Sequence, residues 1–389
     1  MTPILIVGFN YDANKATMIM YSLILGGSIG AFLNAVNRKN PKSGKPVIEY
    51  DMGMIVMPVL LGGLSVGVVL KIAAPSVTVF FGLIILEVVT VKRFITQIKE
   101  ANAGKPSQQP LIDPNQKIEE EEIEMTQELE EKMKKTKNWQ LQQEIVNYYK
   151  KELERIKIED MKQFPWNKIK MNLALLLWIM VMNVLRGSSS LPSLLGVPYC
   201  GTGYWFLFFL SLVGCYAFYR IGLVEVERRM EIKKIHGETS EVDFLLNPGV
   251  LPQLFRVAGI AGILAGFLGI GGGVIMGPSL LAFGCPPGTL SATLAFFVVQ
   301  SSFIASFLSY WFSTNLDLSE IFFFFALACG GGFVVARVIS FLVGKYQNPK
   351  ITLYVMITIV GASVIVMPTY AVYKSIIDPA QMLEYRSIC

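Results

Sequence analysis

The sequence predicts an all-α integral membrane protein. It should be a polytopic bundle of about eight or nine transmembrane helices built from two related halves, with a broken helix and a cytosolic helical insert. Three observations predict this. The 389 residues are 53% hydrophobic and only 16% charged, against about 25% charged in ordinary soluble domains. Apolar stretches near the length of about 20 residues that crosses the hydrocarbon core recur along the chain. A contiguous run of glycines interrupts one of those stretches.

Candidate spans fall near 17–37, 52–70, 75–94, 169–187, 203–225, 252–283, 289–313, 320–345 and 350–373. The opening residues, Met1-Thr2-Pro3-Ile4-Leu5-Ile6-Val7, lack the ordered parts of a secretory signal, so the first span is expected to be retained. The domain reading follows from these spans. Residues 1–95 form a first membrane repeat, 96–166 a hydrophilic cytosolic insert, 167–225 a connecting transmembrane pair, 226–250 a cytosolic loop, 251–375 a second membrane repeat and 376–389 a C-terminal tail.

Lys and Arg gather in alternate loops: Arg38, Lys39, Lys42 and Lys45, then Lys92 and Arg93 through Lys170, then Arg220, Arg228, Arg229, Lys233 and Lys234. The intervening loops hold Lys71 alone, or no charge at all between Gly187 and Gly203. By the positive-inside rule the rich set is cytosolic, and so is the C-terminal tail. On this count Lys345 and Lys350 face outward, against the rule.

The insert begins at Gly104-Lys105-Pro106-Ser107 and runs through Glu119-Glu120-Glu121-Glu122. Leu129, Met133, Leu141, Ile145, Tyr149, Leu153 and Ile156 recur on one helical face, which predicts a long amphipathic helix over about 117–160. The only histidine, His236, sits in the charged 226–250 loop, so a histidine proton relay is not expected. Cys200, Cys215, Cys285, Cys329 and Cys389 are scattered without C-x-x-C spacing, and neither metal nor disulfide roles are expected of them.

A weak internal repeat relates the two halves. Pro3, Gly8 and Ala16-Thr17 parallel Pro278, Gly284 and Ala292-Thr293, and transporters commonly place their substrate site between such repeats. In that register the second half has an upstream element, about 252–277, without a counterpart in the first, so the chain is expected to start in mid-repeat.

The most informative stretch is Gly269-Ile270-Gly271-Gly272-Gly273, followed by Gly277-Pro278. Each glycine costs a helix about 1 kcal/mol relative to alanine. Irregular backbone at membrane depth is tolerated only where it is buried in protein or lines a wet cavity. A broken helix is therefore expected, with the downstream N-terminus favouring an anion. The alternative use of these glycines is close helix packing. Beyond them, Thr289, Ser291 and Thr293, then Gln300, Ser301 and Ser302, offer a polar path free of negative charge. Ionisable residues at depth point to function: Arg337 is a candidate substrate cation and Glu87 a candidate coupling group, with Arg186 a weaker candidate near a helix end. Each of these three also has the option of snorkelling to an interface.

At these residues the sequence resembles the sulfite exporter TauE/SafE family, in its eukaryotic branch with a hydrophilic insert between halves. The resemblance rests on Gly269-Ile270-Gly271-Gly272-Gly273, Gly277-Pro278, Gly284-Cys285-Pro286-Pro287, Ser291-Ala292-Thr293, Tyr310 and Arg337. The first half adds Gly8-Phe9, Lys15-Ala16-Thr17 and Pro46-Val47-Ile48-Glu49-Tyr50-Asp51. It implies a permease for small sulfur-containing anions such as sulfite or organosulfonates, driven by an ion gradient. The family's first repeat opens with its own glycine-rich span, which this chain is expected to lack.

The expected function is thus secondary transport of a small oxyanion in a multi-pass membrane protein. The substrate residues would be Gly269, Gly271, Gly272, Gly273, Pro278, Ser291, Thr293, Gln300 and Arg337, and the coupling candidate Glu87. The competing reading is a transport-inactive scaffold recruiting cytosolic partners through the insert, and a homo-oligomer is compatible with either. An enzyme is not expected, because there is no histidine cluster, metal-ligand spacing, nucleophile with a base, or phosphate-cradling loop outside the membrane runs. Neither a cofactor nor a nucleic-acid partner is expected.

Overall fold

The computed structural model describes residues 11, 13–40, 44–102, 139–188, 191–235, 246, 249–269, 272–283, 285, 287–311 and 318–346, with residues 358, 361 and 369. Among the described residues ten helices follow in chain order: α1 (Ala13–Val36), α2 (Tyr50–Ala73), α3 (Ser76–Asn102), α4 (Trp139–Met161), α5 (Trp166–Arg186), α6 (Thr202–Ile235), α7 (Leu251–Leu268), α8 (Gly273–Ala282), α9 (Pro287–Trp311) and α10 (Leu318–Tyr346). Among the described residues seven segments, in α1, α2, α5, α6, α7, α9 and α10, are long and apolar enough to cross a membrane. The expected span 75–94 lies within α3. That over 350–373 falls almost wholly outside the described residues. The molecule is a polytopic helical membrane protein.

The core is built around α2, which is buried without interruption from Tyr50 to Pro58. Helix α7 runs parallel to it through small residues. A Cβ on Gly63 would lie 2.6 Å from the Gly259 carbonyl oxygen, and one on Gly262 or Gly266 would enter the Leu60 or Leu64 carbonyl. Helices α1 and α10 repeat the device, with Gly26 and Gly30 against Phe325, Cys329 and Phe333, and Gly332 against Gly27. Without a hydrophobic drive between helices in lipid, backbone approach of this kind supplies the van der Waals contact that holds them together. Away from α1, helix α10 presents Phe322, Phe323, Leu327, Val334 and Phe341 outward, a surface suited to acyl chains.

The interrupted segment is a hairpin. Helix α7 rises beside α2, and the chain turns between Leu268 and Gly273. Helix α8 then descends along α9, with Gly273 against Val298 and Gly277 against Leu294. Helix α9 begins at the end where α2 begins, since the Glu49 N–H donates to Thr293 Oγ1 at 3.1 Å. This corrects the topology. Counting 252–283 as one crossing put Lys345 outside, whereas the hairpin returns the chain to its starting end. Helix α10 consequently finishes beside Arg38, whose guanidinium donates to Ser340 Oγ at 3.2 Å, so Lys345 joins the positive end, in keeping with the positive-inside rule.

Helix α4 occupies Trp139–Met161, and the expected part of that helix before 139 lies outside the described residues. The predicted face is real: Leu153 and Ile156 are buried with Ile232 of α6, and Tyr149 packs on them. Cys200 departs from expectation, being disulfide-bonded, whereas Cys215, Cys285 and Cys329 are free. It lies in the charge-poor loop between α5 and α6, at the end opposite Lys168 and Lys233. An oxidising compartment there would sustain such a bond.

Candidate functional site

The break follows from local backbone chemistry. Helix α7 ends on Gly269, which takes a left-handed φ of 72° and donates its N–H to the Ala265 carbonyl. That conformation suits glycine at a helix C-terminus. Gly272 precedes the first turn of α8, where the Met276 N–H donates to its carbonyl at 3.1 Å. Pro278 lies inside α8. Gly271 lies outside the described residues.

Both expected uses of the glycines occur, in different places. Gly262 and Gly266 pack α7 on α2, and Gly269 to Gly273 carry the interruption. Gly272 and Gly273 are themselves closely covered. A Cβ on Gly272 would lie 3.0 Å from Leu60 Cδ1, and one on Gly273 would strike Val298. The polar corner of the turn is Gly269, where a Cβ would lie 3.0 Å from Tyr21 Oη and 3.2 Å from Lys71 Nζ. The ammonium also lies 5.6 Å from the Tyr21 ring centroid, within reach of a cation–π contact.

Helix α9 supplies a polar interior. Thr293, Phe297, Gln300 and Ile304 follow helical spacing on one buried face, and Ser301, Ser302 and Ser306 are buried beside it. Ser302 donates to the Val298 carbonyl at 2.5 Å and lies 3.4 Å from Ser28 of α1, while Tyr310 hydrogen-bonds Ser22. Among the described residues Gln300, 5% exposed, has no partner for either amide atom, and the Ser306 hydroxyl is also unpartnered. Buried polar groups are nearly always satisfied, so Gln300 and Ser306 stand out on this face.

The remaining candidates are dispersed. Ser291 is exposed on α9 and Arg337 is exposed on α10, whose principal packing partner is α1. Glu87 is in α3, with its side chain outside the described residues. Arg186 is buried 4.8 Å from the Tyr204 ring centroid and 5.1 Å from that of Phe208, and it donates to Asn183 at 2.9 Å.

Sequence reasoning missed a second concentration of charge at the positive end of the bundle. Lys168 of α5 bridges Asp51 of α2 at 2.8 Å and Asp160 of α4 at 3.0 Å. Lys233 of α6 meets Asp160 at 2.8 Å, and Arg229 pairs with Glu159 and Glu225. Burial raises the Asp160 carboxyl, but Lys168 and Lys233 outweigh it and hold the group well below the usual carboxylate range. The signal was present in these cations, which the loop-charge count absorbed as topology. Among the described residues no group of His, Cys, Asp and Glu could hold a metal ion.

Residues 254–382 match the family model described as Sulfite exporter TauE/SafE. The chain is 25% identical over 398 residues to Sulfite exporter TauE/SafE family protein 3 of Arabidopsis thaliana, covering 99% of this chain and 76% of that protein. It is 24% identical over 382 residues to family protein 2, and 23% identical over 373 residues to family protein 5, of the same organism. Each of these alignments covers 95% of this chain and 77% of the relative. No solved structure matches. The match over residues 254–382 and the nearly full-length likeness, on a bundle of membrane-crossing helices, make this chain similar to the sulfite exporter TauE/SafE family proteins.

Proposed function

We propose that the protein is a secondary transporter for a small sulfur-containing oxyanion, sulfite or an organosulfonate, with its binding region at the α7–α8 break. The observation that carries this reading is the break itself, an interrupted helix inside an apolar bundle. Irregular backbone there requires either protein cover or a polar ligand. Gly269, Gly272 and Gly273 flank the interruption, and Gly271 and Pro278 are assigned to the same binding region. Thr293 and Gln300 contribute polar atoms from the buried face of α9, and Ser291, Arg337 and Glu87 are assigned to access or coupling. The relatives' names carry the word sulfite.

The test is uptake of labelled sulfite, sulfate and a sulfonate by proteoliposomes holding the pure full-length protein, measured across a pH step. Saturable uptake of at least one sulfur oxyanion is expected, and pH dependence would identify proton coupling. Absence of uptake for all three would remove the transport reading and leave the scaffold, which needs the insert but no path.

A further inference from the structure

We infer that Lys71 supplies the positive charge of the anion site at the α7–α8 break, with the Tyr21 hydroxyl as its neutral hydrogen-bond donor; this rests on the transport reading above. Lys71 lies in the last turn of α2, where a lysine has an easy alternative, extending to the interface. Its ammonium instead turns to the bundle side, against Gly269 and over the Tyr21 ring.

Neither group is spent on the protein. Tyr21 is only 3% exposed, and its hydroxyl, aimed at the Gly269 corner, has no hydrogen-bond partner among the described residues. Lys71 has neither a hydrogen bond nor an ion pair among them, and its recorded contact is the Tyr21 ring. A span-end cation that turns toward the bundle without an acid beside it lacks a counter-charge, which an arriving anion supplies. The chemistry is one-sided: three ammonium donors and a phenolic O–H meet at a turn whose residue has no side chain. Such a corner fits a small oxyanion with several acceptor oxygens and discriminates against cations. Gly269 keeps it open, since alanine would place a methyl against both donors and strain a φ of 72°.

The experiment uses the full-length protein in proteoliposomes with labelled sulfite, comparing wild type with Lys71→Gln, Lys71→Arg, Tyr21→Phe and the exposed-lysine control Lys92→Gln. Sulfite-dependent change in melting temperature is read in parallel in detergent. Loss of a charge-assisted bond predicts that Lys71→Gln raises the half-saturation concentration about tenfold or more. Lys71→Arg should restore it to within a few-fold, Tyr21→Phe should raise it severalfold, and Lys92→Gln should leave it unchanged. The sulfite-dependent melting shift should vanish in Lys71→Gln.

Wild-type half-saturation in Lys71→Gln overturns the assignment while transport stands. Should Lys71→Gln fail to insert, an unchanged half-saturation in Tyr21→Phe overturns it. A wild type that moves no sulfite yet gains a Lys71-dependent melting shift keeps the site and removes the transport reading. A wild type with neither flux nor shift overturns both.

Discussion

Gln300 is the residue at which stability and function separate. Its amide is buried on α9 without a partner on either atom. An unsatisfied buried polar group costs about 1–3 kcal/mol, a cost natural proteins retain mainly where a ligand makes use of it. Gln300→Leu, similar in shape, should therefore raise thermal stability in detergent by about that amount while lowering sulfite uptake. Higher stability with unchanged uptake would assign Gln300 no part in the path. The sequence made Gln300 and Thr293 legible, because polar side chains in an apolar run stand out. It could not separate them from Ser291, which the helix turns outward. Lys71 escaped notice for a related reason. A lysine at a span end reads as a loop charge, and only tertiary packing reveals that the side chain bends inward over Tyr21.

At the scale of elements, the break in α7–α8 was readable because a run of glycines acts on local backbone. Its reversal was not, since direction is set by packing of α8 on α9, and that omission placed Lys345 at the wrong end. The insert shows the same division. The apolar face through Tyr149, Leu153 and Ile156 was visible in the periodicity, but its fastening to α2, α5 and α6 depends on Asp160 and Glu159, which lie far in sequence from Lys233 and Arg229. Removing one partner from a buried ion pair costs about 3–5 kcal/mol, because the others are left uncompensated. Asp160→Asn should accordingly expose α4 to protease in an otherwise inserted protein, and protection equal to wild type would contradict this. The depressed carboxyl fixes the pH behaviour. The fastening is complete above the ordinary carboxylate value of about 4 and weakens as pH falls below it. Labelling of a cysteine introduced at Ile156 of α4 should thus match at pH 6 and pH 8 and increase only in strong acid.

At the scale of the whole molecule, class and span positions came directly from composition and apolar run length, properties that need no knowledge of contacts. The association of spans into parallel pairs, α2 with α7 and α1 with α10, was less accessible. Glycines on both helices of a pair must meet, and the sequence names the glycines without naming their partners. The same residues that allow this packing leave α7 and α2 close enough to hold the break beside Tyr21 and Lys71, so the scaffold and the proposed anion corner are one construction. The central claim is that the interruption carries the anion. It is tested most directly by sulfite uptake in proteoliposomes with wild type and Gly272→Leu, where the added side chain must displace Leu60, 3.0 Å from the first added carbon. The account predicts saturable wild-type uptake and its loss in Gly272→Leu at equal insertion. Equal uptake by both proteins would contradict it.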